Sequence, residues 1–258
     1  MSSTLLRTQD LTARFGGHVA VDGVSCAFAA GALTAIIGPN GAGKTTYFDL
    51  ISGQVNASTG RVFLGGRDIS RMPVAARARA GIGRAFQLTN LFPNLSVMEN
   101  LRLVAQSKSK RRACIWSMAS RHRTLIEAAE QALEQVQLKD QRFQKISELS
   151  HGDQRKLEVA MLMTLDPLVY MFDEPTAGMS MDEAPVVLDL IAALKQRRDR
   201  TILLVEHKMD VIRALADRII VLNNGCLAAD GAPAEVMESD IVQEAYIGRG
   251  LEGALNEL

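Results

Sequence analysis

The chain has 258 residues, 29 Lys+Arg against 29 Asp+Glu, 47% hydrophobic residues and only 5% aromatic ones. That length suits one large α/β domain or a core carrying an inserted subdomain, and the zero net charge excludes a general nucleic-acid footprint. Apolar runs stop at strand length, as in Thr201–Val205, so no membrane span is expected, and the opening Met1–Arg7 lacks the pattern of a secretory signal.

The N-terminal segment alternates short strands with turns. Leu5–Thr12 and Val19–Phe28 flank the corner Phe15-Gly16-Gly17, and Leu33–Ile37 reads as a buried strand. It runs into Gly38-Pro39-Asn40-Gly41-Ala42-Gly43-Lys44-Thr45, which fits G-x-x-x-x-G-K-[ST] at every fixed position, and Lys44–Ile51 reads as the helix leaving that loop. Glycines let successive N–H groups curl toward phosphate oxygens, and the helix start adds its positive end. Lys44 is expected to reach the β- and γ-phosphates and the Thr45 hydroxyl to ligate Mg²⁺. The chain is therefore expected to bind a nucleoside triphosphate.

Beyond the loop, Gly60–Leu64 reads as a strand closed by Gly65-Gly66, Pro73–Ala80 as a short helix, and Ile82–Phe86 as another strand. From Val97 to Leu165 the pattern turns helical, with Leu, Ala and Met at three- and four-residue spacing. Strand character returns at Leu168–Phe172. A helix (Asp182–Lys195), a strand (Thr201–Val205), a helix (Met209–Ala216) and a strand pair, Ile219–Leu222 and Cys226–Ala229, follow. Asn223-Asn224-Gly225 supplies the turn chemistry of a tight hairpin, and Pro233–Tyr246 closes with short helical pieces. The whole reads as an α/β nucleotide-binding core interrupted by a helical subdomain.

Val169–Glu174 is an apolar strand ending in two acids. Beside a phosphate loop, Asp173 is placed to hold Mg²⁺ and Glu174 to orient and deprotonate an attacking water; alone, the pair would read as solvated acids. Ser150 precedes a helix as an N-cap and Gly152 is expected to leave backbone N–H groups accessible, so this is either a second anion-binding helix start or an ordinary capped helix. Cys26, Cys114 and Cys226 lie far apart without metal spacing and are expected to be reduced, part-buried thiols. Lys108, Lys110, Arg111, Arg112, Arg121 and Arg123 gather around Trp116. They read as a solvated face, as a basic surface toward an anionic leaflet or a permease, or as a weaker nucleic-acid site. Met161, Met163, Met171, Met179 and Met181 read as core or interface packing.

Taken in order, these motifs resemble the ATP-binding cassette (ABC) ATPases over essentially the whole chain. Gly38–Thr46 matches Walker A, Gln87 the Q-loop glutamine, Leu149–Asp153 the signature, and Val169–Asp173 Walker B followed by Glu174. Ala177–Asp182 matches the D-loop and His207 the switch histidine. The resemblance implies a P-loop (RecA-like) core with an antiparallel β subdomain, made of residues 1–88 and 168–258, and an inserted α-helical signature subdomain, residues 89–167. It implies ATP and Mg²⁺ as ligands, with Phe15 stacking on adenine and Gly38, Pro39, Asn40, Gly41, Ala42, Gly43, Lys44, Thr45 and Thr46 binding the nucleotide. Thr45, Gln87 and Asp173 would serve the metal, Glu174 would be the general base, and His207 would contact the γ-phosphate. Ser150 and Gly152 would bind the γ-phosphate of ATP held by an opposing subunit.

Two departures stand out. The common signature Leu-Ser-Gly-Gly-Gln carries His151 and Asp153 here, and Ser180 stands where the D-loop usually has aspartate, which puts that residue's cross-subunit role in question. Ser150–Glu158, Asp173–Ser180 and Val205–Asp210 are similar to the ATPase of branched-chain (hydrophobic) amino-acid importers, as is the tail Val242–Gly248. Urea-importer and lipopolysaccharide-export ATPases are near neighbours; soluble ABC ATPases of cluster assembly, repair or translation, and a non-hydrolytic cassette, are the other readings. The expected partners are a second ATPase subunit, identical or paralogous, paired head to tail, permease subunits reached near Gln87 and Leu91–Asn100, and indirectly a periplasmic binding protein. The expected location is the cytoplasmic face of the inner membrane, as a peripheral protein.

Overall fold

The computed structural model describes residues 4–85, 91–107, 118–239 and 242. These fall into two compact units. The first comprises Met1–Ile82, Leu168–Glu174 and Lys195–Leu258, and the second Gly83–Pro167 and Pro175–Leu194.

The first unit holds two sheets. Strands β1 (Thr4–Phe15) and β2 (His18–Ala29) form a long hairpin around Gly16-Gly17, extended by β4 (Thr59–Leu64) and β5 (Arg67–Asp68) in the antiparallel order β2-β1-β4-β5. β1 outruns the expected Thr12 because its ladder with β2 continues to the Phe15–His18 pair. The second sheet has the order β10-β9-β3-β8-β7-β6, from β3 (Leu33–Ile37), β6 (Ile82–Ala85, only Ile82 counted with the first unit), β7 (Val169–Asp173), β8 (Thr201–Val205), β9 (Arg218–Asn223) and β10 (Cys226–Gly231). β3 and β8 are buried at every residue, the continuous apolar run expected of parallel strands covered on both faces. Asn224 and Gly225, at φ 49° and 79°, make the tight β9–β10 turn.

Parallel pairing brings three strand ends together. β8 lies between β3 and β7, and Val205 is level with Ile36 on one side and Asp173 on the other. The residues that follow these strands therefore emerge side by side at the C-terminal edge, where ligands of α/β sheets gather.

Helix α1 (Lys44–Ser52) packs Tyr47, Phe48, Leu50 and Ile51 against Leu6, Val24 and Phe28 of the antiparallel sheet and Ile36 and Leu203 of the parallel one. Fully burying each such side chain contributes about 1.5–3 kcal/mol, so this helix is held chiefly by its apolar face. The Tyr47 hydroxyl shares a 2.7 Å hydrogen bond with Thr8 Oγ1. At the other end of α1 stands Arg77 of helix α2 (Val74–Ala80), only 1% exposed. Its guanidinium donates to Leu50 O, Ile51 O, Ser70 O and Met72 O, so a buried cation meets main-chain carbonyls at the negative end of the helix dipole. On the opposite face of the parallel sheet, α7 (Met209–Leu215) and α8 (Pro233–Met237) pack Ile212 and Val236 against Ile219 and Val221.

The second unit is helical, with α3 (Val97–Ser107), α4 (Met118–Gln135), α5 (His151–Leu165) and α6 (Ala184–Lys195, its last residue counted with the first unit). Val97, Leu101, Leu133, Val136, Ile146 and Leu157 form its core. Asn100, fully buried, ties the loop before α3 by accepting from Phe92 N and donating to Phe92 O and Ser96 O. α6 begins at Ala184 rather than Asp182 because Ser180 and Glu183 close a reciprocal cap there: Ser180 N and Oγ donate to Glu183 Oε2 at 3.1 and 2.9 Å. Ser180 thus caps its own helix.

The thiols correct one expectation. Cys26 is buried, and burial pushes its thiol up from the usual range, but Cys226, first residue of β10 after the tight turn, is exposed. Cys114, Gln87, Trp116 and the tail after Val242 lie outside the described residues.

Candidate functional site

A cavity of about 410 Å³ opens in the first unit, lined by Phe15, His18, Ala20, Asn40–Thr46, Glu174 and His207. Its floor is the loop between β3 and α1. Gly43 has φ 95°, and a Cβ there would come within 2.3 Å of Ala20 O; at Gly38 it would meet Leu222 O at 2.1 Å. The loop is pressed onto neighbouring backbone that only glycine admits. Gly225 N donates to Ala42 O, tying the loop to the β9–β10 turn.

Helix α1 starts on Gly43 without a side-chain cap. Its first-turn N–H groups therefore have no acceptor within the helix and face the same end as the positive dipole pole. Lys44 is 7% exposed and folds back on the loop, its Nζ donating to Gly38 O (2.7 Å) and Pro39 O (3.0 Å). Burial lowers the ammonium from the ordinary lysine range, and the carboxylates of Glu174 and Asp173 pull it back up. Those opposing causes place both acids in the field of Lys44. The Thr45 side chain is exposed on the cavity wall.

Across the cavity, Glu174 Oε1 lies 2.9 Å from His207 Nε2. Glu174 has φ 50°, a left-handed conformation that costs a non-glycine residue roughly 1–3 kcal/mol. Its N–H donates to Val205 O at 2.9 Å, which holds it there. His207 is fixed by its main chain: Glu206, 3% exposed, accepts from the N–H groups of His207 and Lys208. A carboxylate and an imidazole thus face each other at the mouth of a site floored by amide donors and a buried cation. The set suits binding a polyanion and removing a proton from water beside it.

Phe15 is 50% exposed at the end of β1 and lines the cavity, as a platform for a base requires. Opposite it in the hairpin register stands His18, which no sequence motif marks. The signal was there: two strands meeting at Gly16-Gly17 put residues 15 and 18 on one face as a cross-strand pair. Gln87 lies outside the described residues, so its place is not defined here.

Ser150 and Gly152 belong to the second unit. Ser150 is the N-cap of α5, its side chain accepting from Asp153 N at 3.0 Å, and Asp153 pairs with Lys156 at 3.0 Å. Gly152 is the second residue of α5. It is buried, and a Cβ at that position would stand 2.2 Å from Glu183 Oε1. Among the described residues no group of three or more His, Cys, Asp or Glu side chains forms a metal cage.

Comparison with known proteins places this geometry. A family model described as ABC transporter matches residues 21–177. The high-affinity branched-chain amino acid transport ATP-binding protein LivG of Salmonella typhimurium is 37% identical, with 96% of this chain and 99% of that protein covered. BraF of Pseudomonas aeruginosa, of the same description, matches at the same identity and coverage. The lipopolysaccharide export system ATP-binding protein LptB of Escherichia coli is 30% identical over 94% of this chain and 97% of its own length. Among solved structures, an ATP-binding cassette of an ABC transporter in its ADP conformation superposes with a TM-score of 0.81 at 30% identity, covering 96% of this chain and all of that one.

Proposed function

The chain belongs to the ABC transporter family as an ATP-binding ATPase subunit, and from that premise we propose that it powers uptake of branched-chain or other hydrophobic amino acids through a membrane permease. The observation that carries the substrate class is the 37% identity to LivG and BraF across nearly the full length of each chain, against 30% for the lipopolysaccharide-export protein.

The proposed chemistry uses the residues that line the cavity. ATP lies with its base against Phe15 and its phosphates over Gly38–Thr46, where loop amides and Lys44 receive the β- and γ-oxygens. Glu174 takes the proton from a water that attacks the γ-phosphorus, as the bond to the β-phosphate oxygen breaks and ADP leaves. His207, 2.9 Å from Glu174, steadies the carboxylate before ATP arrives and meets the γ-phosphate afterwards. The oxygen donors at hand fit Mg²⁺: the Thr45 hydroxyl and the Asp173 carboxylate would hold it, with Gln87 as the expected further contact. Mg²⁺ bound there would supply charge neutralisation on the phosphates.

Ser150 and Gly152 are proposed to meet the γ-phosphate of ATP bound by a second ATPase subunit, so that two subunits close head to tail on two nucleotides. Among the described residues no helix is long and apolar enough to cross a membrane. The kinship with transport ATP-binding proteins supports a peripheral subunit at the cytoplasmic face that works through separate permease subunits.

The test is uptake in cells carrying only Glu174→Gln. Labelled leucine, isoleucine or valine is expected to stay outside, while the purified variant binds ATP as tightly as the parent and turns it over at least about a hundredfold more slowly. Normal turnover in that variant would remove the general-base role. Normal branched-chain uptake with loss of urea uptake or of lipopolysaccharide export would move the subunit to a neighbouring transporter.

A further inference from the structure

Gly152 and Glu183 are separated by thirty residues in the chain, yet the space where a Cβ of Gly152 would stand is filled by the Glu183 carboxylate. That Cβ would lie 2.2 Å from Oε1, 2.3 Å from Cδ and 2.3 Å from Oε2. The far end of a flexible side chain could normally step aside. This one is held, because Oε2 accepts from Ser180 N at 3.1 Å and from Ser180 Oγ at 2.9 Å, and Glu183 N donates back to Ser180 Oγ. The same cap starts α6, so turning Glu183 away would open two hydrogen bonds at that helix start. Ser150 already serves Asp153 N at the start of α5, so Glu183 is not needed to cap that helix. What remains is fit: a hydrogen at residue 152 against a fixed carboxylate.

We propose that Glu183 is a positioning residue for the α5 N-terminus, seated on Gly152, so that the segment following Glu174 and the Ser150–Gly152 turn hold one spacing within a single subunit. The glycine at 152 is then required by its own chain and not only by a ligand approaching from outside. The consequence for turnover rests on the reading that Ser150 and Gly152 face the partner's ATP; the packing itself does not. Ser180 is part of the device, since it fixes the carboxylate.

The experiment is a double-mutant cycle on the full-length protein, reading kcat, KM for ATP and melting temperature. Gly152→Ala is expected to lower kcat about tenfold or more with little change in KM, and to lower Tm. Glu183→Ala alone is expected to cost about two- to fivefold in kcat. Together, the two are expected to return kcat and Tm to the Glu183→Ala level, because the added methyl now has room. Glu183→Gln is expected to stay within about twofold of the parent, since the amide oxygen still accepts from Ser180.

If the double variant stays as slow as Gly152→Ala, the glycine is required by the incoming nucleotide and the positioning role is overturned. If Tm does not recover either, the seat itself is wrong. Should Gly152→Ala fail to accumulate as folded protein, recovery of folded protein by adding Glu183→Ala supports the proposal and continued loss overturns it. Ser150→Arg separates the two readings: full turnover in that variant would sink the partner-facing role of α5 and leave the Tm cycle to judge Glu183.

Discussion

Two helix starts in this chain carry phosphate-loop and signature motifs, and they are built in opposite ways. α1 begins on a left-handed glycine with no side-chain cap, and the open cavity lies over its first turn. α5 begins on Ser150, whose own side chain takes the Asp153 N–H, and its second residue lies buried under Glu183. An uncapped start leaves its amides and dipole for a ligand; a capped and covered start is already stable by itself. The difference leaves the start of α1 open to a ligand and the start of α5 served by a side chain of its own chain.

The strongest way to break that contrast is at Lys44. Its Nζ now satisfies Gly38 O and Pro39 O, so the loop is preformed around the ammonium that ATP would attract. Lys44→Ala is expected to lower kcat/KM for ATP about a thousandfold, near 4 kcal/mol, as for loss of a preorganised donor to a charged transition state. Isothermal titration with ATP should show binding lost in step. A variant that binds normally would mean that the amides of α1 alone carry the phosphates.

Next comes the far end of the same helix. Arg77 is buried, and its removal leaves four main-chain carbonyls unsatisfied. Arg77→Ala is expected to cost about 3 kcal/mol of stability, measured by denaturant unfolding, with Arg77→Lys recovering only part because an ammonium cannot reach four acceptors in one plane. An unchanged midpoint would show that α1 is held by Tyr47, Phe48 and Ile51 alone.

How much of this was legible in the sequence follows from which interactions are local. The phosphate loop, the buried parallel strands and the Ser150 cap are each written within a few adjacent residues, by glycine spacing, apolar runs and an N-cap hydroxyl. Arg77 was not legible: Pro73–Ala80 reads from the sequence only as a short helix, and only the tertiary fold shows that Arg77 turns inward onto α1. Glu183 on Gly152 was hidden for the same reason, since nothing near residue 152 names so distant a neighbour in the chain. In the sequence Ser180 stands only as a replacement within a motif, whereas in the fold it caps the helix that follows it.

A smaller effect sharpens the contrast on the second helix. Ser150→Ala removes the side-chain acceptor of Asp153 N and is expected to cost about 1 kcal/mol of stability, the usual worth of an N-cap. Gly43, by contrast, contributes no side-chain cap, so the stability of α1 should respond to ATP and not to capping. Melting curves with and without ATP would therefore shift upward in both parent and Ser150→Ala, by the same amount for the isolated subunit.

The smallest expected effect concerns His18. It lies directly across the hairpin from Phe15, and both line the cavity. An imidazole brings hydrogen-bonding nitrogens to the cavity that the Phe15 ring lacks. His18→Leu keeps the bulk and the strand but removes both polar groups. It is expected to raise KM for ATP about two- to fivefold at unchanged kcat, while KM for GTP moves less, since a base-reading contact acts in ground and transition states alike. A fall in kcat at constant KM would put His18 near the phosphates instead, and an unchanged ratio of ATP to GTP would leave Phe15 as the platform for either base.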